Sequence, residues 1–138
     1  MMKIAKEFRW EMGHRLPFHK GKCKNLHGHS YKMLVEFEGE LNNDGMVMDY
    51  YDVKNLIAPL VEELDHSVMV KDDDTELINA LKSINSRMNI VPFHTTAENI
   101  CFYFLEKIKK LNTNKNLKKV RVWVYETENT YATEETAL

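Results

Sequence analysis

Along residues 4–14 the chain alternates, with Ile4, Lys6, Phe8, Trp10, Met12 and His14 on one side and Ala5, Glu7, Arg9, Glu11 and Gly13 on the other. A period of two with one mostly apolar set predicts a strand with a single buried face, and His14 ends it on that face. Pro17 and Gly21 then mark a loop. From His27 the alternation is cleaner: His27, His29, Tyr31, Met33, Val35 and Phe37 oppose Gly28, Ser30, Lys32, Leu34, Glu36 and Glu38. A second strand therefore projects both histidines from one face. Asn42-Asn43-Asp44-Gly45 tolerates left-handed backbone and predicts a turn. Residues 46–48 are expected to return as a short third strand.

The period then changes. Behind Asp49, a capping residue, Val53, Leu56, Ile57, Leu60, Val61 and Leu64 follow helical spacing. Pro59 falls inside this run, where its missing donor predicts a bend or a division into two pieces. The helix ends at Asp65-His66, and residues 71–74 read as an exposed loop. Leu77, Ile78, Leu81 and Ile84 predict a short second helix starting behind Asp74 or Thr75, while residues 90–93, with Pro92, read as extended. Thr95-Thr96-Ala97-Glu98 has the form of a capping box between Thr95 and Glu98. It opens a third helix carrying Ile100, Phe104, Ile108 and Leu111. In the last strand Val120, Val122 and Val124 alternate with Arg121, Trp123 and Tyr125, delivering Glu126 on the valine face. The order predicts one α+β domain over residues 1–138, an antiparallel sheet with helices on one face.

Composition narrows the function classes. The 138 residues are 43% hydrophobic and 29% charged, which suits an ordinary globular domain with a core of its own. A net charge of -2 and a pI near 6.3 give no overall basic field for nucleic acid. The lysines from Lys107 to Lys119 read as a solvated helix end and loop. No apolar run approaches the roughly 20 residues that span a bilayer. The N-terminus lacks the apolar core of a signal peptide, which predicts a place in the cytoplasm, and in that reducing compartment Cys23 and Cys101 are expected to be free thiols.

Four of the six histidines fall between residues 14 and 29. Two residues apart on a strand, His27 and His29 share a face and are placed to converge on one ion; His14, on the apolar side of the neighbouring strand, supplies a third imidazole. Three neutral imidazoles leave one tetrahedral position open, the pattern of a catalytic zinc. His19 is expected to be a bystander in the loop. Cys23, between Lys22 and Lys24, reads as a fourth ligand, an inert thiol or an acid–base group whose thiolate the nearby cations favour. Asp65-His66 reads as a helix cap or as a carboxylate fixing an imidazole for proton transfer. Glu126 either emerges into solvent or meets a ligand with a guanidine-like edge.

Taken together, His14-Arg15-Leu16, then Cys23 through His27-Gly28-His29-Ser30-Tyr31, resemble the 6-pyruvoyl-tetrahydropterin synthase and 6-carboxy-tetrahydropterin synthase family. The likeness continues through residues 45–49, Leu64-Asp65-His66, Thr96-Ala97-Glu98-Asn99 and Glu126-Thr127. The resemblance implies that His14, His27 and His29 bind Zn2+, that Cys23 is the catalytic proton acceptor, and that Asp65 and His66 form its relay. It implies that Glu126 anchors a pterin ring, with Thr96 and Glu98 in the same pocket. It implies a tunnelling fold, a four-stranded antiparallel sheet with two main helices, whose copies close into a barrel, a hexamer built as a dimer of trimers with sites between subunits. Three residues separate Cys23 from His27, as in the 6-carboxy branch of queuosine synthesis, whose substrate is 7,8-dihydroneopterin triphosphate. For that triphosphate Arg15, Lys20, Lys22 and Lys24 offer positive charge. The alternatives are triphosphate elimination without carbon–carbon cleavage, as in the 6-pyruvoyl branch, and a non-catalytic pterin- or zinc-binding protein. Two departures from the family pattern stand out: the Trp10-Glu11-Met12-Gly13 lead-in to His14 and a long segment over residues 75–89.

Overall fold

A computed structural model describes residues 1–138. The long first strand, β1 (Met2–His14), and the second, β2 (His27–Gly39), form an antiparallel ladder that sets Trp10 opposite Tyr31, Met12 opposite His29 and His14 opposite His27. Between them lies a loop with one 3-10 turn, Lys22–Lys24. The remaining elements are α1 (Tyr50–Leu64), β3 (Ser67–Lys71), α2 (Thr75–Ser83), β4 (Met88–Val91), α3 (Ala97–Leu111), β5 (Leu117–Thr127) and β6 (Thr130–Ala137). No helix is long and apolar enough to cross a membrane.

The sheet has six strands in the order β4-β3-β1-β2-β5-β6, against the four expected. Four of them, β1, β2, β5 and β6, are antiparallel, while β3 pairs parallel to β1 and β4 parallel to β3. Residues 46–48 do not form a strand. Their backbone is already committed: Met46 O accepts from Asn42 N–H at 2.7 Å and Val47 O from the Asn116 side chain at 3.0 Å. The turn before them is as expected, with Gly45 at φ 79° and the Asn42 side chain accepting from Asp44 and Met46.

Alternation dictates the core. The apolar sets of β1, β2 and β5 fall on one face, where Val53, Ile57 and Leu64 of α1 and Ile100, Phe104 and Ile108 of α3 cover them. Trp10 stacks on Tyr31 at 5.1 Å, with Phe104 edge-on to the indole. Each such side chain, fully buried, contributes about 1.5–3 kcal/mol. Helix α2 buries Leu77, Ile78 and Leu81 against Val70 in a separate small cluster. Asp49 and Asp74 cap α1 and α2 through their carboxylates. Helix α1 runs as one helix through Pro59; Pro59 and Asn55, whose carbonyl loses its donor, are both exposed.

Candidate metal centre and proton relay

Strand phase brings the three histidines together. Their ligand nitrogens lie within 4.8 Å of one another, and the Nε2 atoms of His27 and His29 are 3.2 Å apart. Two imidazole nitrogens each about 2.0–2.1 Å from a tetrahedral zinc stand about 3.3 Å from one another. Carbonyl acceptors fix the rings: the Nδ1–H of His14 donates to Thr95 O at 2.8 Å and that of His27 to Asn25 O at 2.7 Å. A ring that donates Nδ1–H in this way keeps, in its neutral tautomer, an Nε2 lone pair free for a metal. Burial, then mutual repulsion with His27 and His29, holds the His14 pKa down at about 4, although its bond to Thr95 opposes this. Burial and His27 lower that of His29.

Glu126 closes the group. Met33 pairs with Val124, so Glu126 follows on the face that carries Tyr31 and the histidines. Its Oε1 lies 4.0 Å from His14 Nε2 and its Oε2 4.0 Å from His29 Nε2. Burial and then the neighbouring Glu98 push its carboxyl up. Three buried polar atoms without a partner collect here: His14 Nε2, Glu126 Oε1 and the Tyr31 hydroxyl. Native interiors seldom leave such atoms unpaired, so these residues fit a bound cation and a polar ligand.

Thr95 is a functional residue that sequence reasoning misassigned. It is buried, and both its carbonyl and its hydroxyl, at 2.8 and 3.1 Å, hold His14. The helix cap is Thr96, whose hydroxyl accepts from Asn99 N–H, so the capping box expected between Thr95 and Glu98 does not form. Glu98 is exposed and shares a small pocket of about 140 Å³ with Glu126 and Tyr131. The adjacent threonines were the available signal: only one of them can cap.

Asp65 and His66 sit where β1 begins its parallel pairing with β3. Asp65 Oδ1 accepts from Glu11 N–H at 2.8 Å and lies 3.0 Å from His66 Nδ1, and His66 N–H donates back to Glu11 O at 2.7 Å. The Glu11 amide, then His66, hold the Asp65 carboxyl below its usual range. His66 has φ 58°, an unfavourable left-handed backbone for a residue with a side chain. With His29 it lines an open cleft of about 320 Å³. The turn is held from behind by Arg87, whose guanidinium donates to the carbonyls of Asp65, Glu62 and Glu63 at 2.8, 3.0 and 2.7 Å. Arg87 thus satisfies the orphan carbonyls at the end of α1 and favours its dipole. Arg87→Ala is expected to destabilise the fold by about 1–2 kcal/mol in chemical denaturation, the exposure of the site keeping the loss modest. Arg87→Lys should recover only part, because one ammonium cannot span three carbonyls.

Cys23 stands apart. It is half-buried in the 3-10 turn, its carbonyl accepts from Leu16 N–H, and its thiol makes no hydrogen bond to any of these groups within one chain. His19 is spent on the same loop, accepting from Gly21 N–H. Arg15 is not free for a triphosphate: its guanidinium pairs with Asp74, at 2.8 Å from Nε, which leaves only the exposed Lys20, Lys22 and Lys24 of that set.

The profile of the 6-pyruvoyl tetrahydropterin synthase family matches residues 3–137. The chain belongs to this family. It is 35% identical over 131 residues to the 6-carboxy-5,6,7,8-tetrahydropterin synthase of Haemophilus influenzae, covering 89% of this chain and 92% of that one. With the enzyme of the same name from Aquifex aeolicus it shares 36% identity, covering 91% of this chain and 92% of the other. The solved 6-pyruvoyltetrahydropterin synthase of Plasmodium vivax superposes with a TM-score of 0.80 over 99% of this chain and 98% of that one; at 19% identity this speaks for the fold. Membership in a family of synthases makes the chain an enzyme by descent, and the three-histidine centre is where a metal can be held.

Proposed function

We propose that this family member is a zinc-dependent 6-carboxy-5,6,7,8-tetrahydropterin synthase of the cytoplasm, converting 7,8-dihydroneopterin triphosphate and water to 6-carboxytetrahydropterin, acetaldehyde and triphosphate on the way to queuosine. The observation that carries this reading is the convergence of three imidazoles on one another, two of which, His14 and His29, face a half-buried carboxylate, Glu126. Bound zinc supplies Lewis-acid polarisation of the substrate's side-chain oxygens.

The chain's own residues do the rest. Thr95 and Asn25 hold the imidazoles of His14 and His27 in register. Glu126 accepts the paired N–H groups of the pterin's guanidine-like edge, which gives its buried oxygen the donor it lacks. Thr96 and Glu98 stand at the start of α3 beside that edge. The Cys23 thiolate takes a proton from the side-chain carbon, and Asp65 fixes His66 so that its outer nitrogen passes protons on.

Cys23 and His66 do not meet within one chain, and we read the relay as shared between adjacent copies of a homo-oligomer, a hexamer of two trimers. The loop around Cys23 exposes Phe18 and Leu26, and His66 is 77% exposed, which suits groups awaiting a neighbouring subunit.

The short spacing from Cys23 to His27 and the names of the relatives favour the carboxy product. The family description favours a second reading, in which the reaction ends at 6-pyruvoyltetrahydropterin. Mass analysis of the products from zinc-loaded protein and dihydroneopterin triphosphate is expected to find acetaldehyde and the 6-carboxylate. A pyruvoyl product without acetaldehyde selects the second reading. Bound zinc without turnover overturns both and leaves a binding protein.

A further inference from the structure

We infer that Glu126 is itself a ligand of the metal in the substrate-free enzyme and leaves it when substrate binds. The inference rests on the metal reading above. His14 gives its Nδ1–H to Thr95, so its Nε2 is an acceptor, and it lies 4.0 Å from Glu126 Oε1. Both atoms are buried and neither has a hydrogen-bond partner. On the other side, Oε2 of the same carboxylate lies 4.0 Å from His29 Nε2. Each oxygen of one carboxylate thus faces a ring nitrogen of the triad, and across the His14 gap acceptor meets acceptor with no donor between.

A proton shared across either gap would draw the pair into hydrogen-bonding distance, and 4.0 Å is well beyond that. A cation among them removes the conflict, because nitrogen lone pairs and carboxylate oxygens then point at one positive charge. The separation suits this occupant. In a tetrahedral zinc site with nitrogen and oxygen ligands, neighbouring ligand atoms stand about 3.4 Å apart, so each 4.0 Å gap is about 0.6 Å longer than a ligand–ligand spacing. The terminal torsion of a glutamate is soft, and a small rotation closes that gap without moving β5. Glu98 shares with Glu126 a small pocket that no histidine lines, so its like charge is on the same side as that pocket.

One carboxylate then serves two partners in turn. At rest it fills the fourth position of the three-histidine site and keeps water from it. The N–H edge of an arriving pterin competes for the same oxygens, and as Glu126 turns to accept from it, the position opens for the substrate's own oxygens. Ring recognition and opening of the metal become a single event.

Cobalt-substituted protein and chelator competition test this, using wild type, Glu126→Gln and Glu126→Ala, each first checked for native circular dichroism and oligomer size. Both variants are expected to bind zinc about 10–100-fold more weakly than wild type. Their cobalt visible bands should differ in position and intensity from those of wild type. Neopterin, which carries the pterin edge without a triphosphate to lose, should shift the wild-type bands and leave those of Glu126→Ala in place. Wild-type zinc affinity and wild-type bands in both variants would overturn the ligand role while leaving the three-histidine metal site intact. Failure of the wild-type protein to bind zinc at all would overturn the metal reading and this inference with it.

Discussion

Cys23→Ala is expected to lower turnover by about 10³-fold while zinc content stays unchanged. Positioned acid–base groups contribute about 10²–10⁴-fold, and in the proposed reaction Cys23 is the group that takes the proton from carbon. The thiol sits in a surface turn, is only half-buried, and makes no hydrogen bond to His14, His27 or His29. Its truncation therefore leaves metal and fold in place, so a loss of rate reports on chemistry. Metal analysis beside single-turnover kinetics separates the two roles left open for this residue: a zinc ligand would lose metal together with rate. Undiminished turnover would remove Cys23 from the mechanism.

That experiment tests a residue the sequence pointed to for a reason the folded chain only partly supplies. Alternation put His14, His27 and His29 on one face because the period of a strand is fixed and the ladder pairs His14 with His27. The same logic carried Glu126 to the valine face of β5. What alternation does not contain is the partner across the sheet. The carbonyl that orients His14 belongs to Thr95, 81 residues away, and Thr95-Thr96 offers two equivalent caps until His14 claims one.

Two strands were illegible for opposite reasons. In β3 both Met69 and Val70 are buried, one in the main core and the other under α2, so no polar alternation marks it. β6 is an edge strand rich in Thr and Glu with little to bury, and its Glu135 answers Arg121 rather than the core. Arg87 lies in the short link between α2 and β4, where nothing local signals that its guanidinium will finish α1.

His14→Gln tests the most buried of the three histidines in two states of the protein. With metal, the expected result is a loss of zinc affinity of about 100-fold or more, read by chelator competition. Structural zinc sites bind with about 10–16 kcal/mol over four ligands, or about 3 kcal/mol each. Without metal, the expected change is in acid stability. His14 is 1% exposed, and its pKa falls from 6.5 in the unfolded chain to about 4 in the folded one. As pH drops below 6.5, the unfolded chain takes up a proton that folded His14 refuses, so folded protein loses stability until about pH 4 and no further from this group. The loss is worth about 3 kcal/mol. Glutamine keeps a donor for the Thr95 carbonyl and does not titrate, so metal-free His14→Gln should lack that part of the slope in denaturation midpoints taken between pH 6.5 and pH 4. An identical slope in the two proteins would show that the imidazole is not held neutral by burial. The tautomer argument for its inward lone pair, and the metal site built on it, would then lose their physical basis.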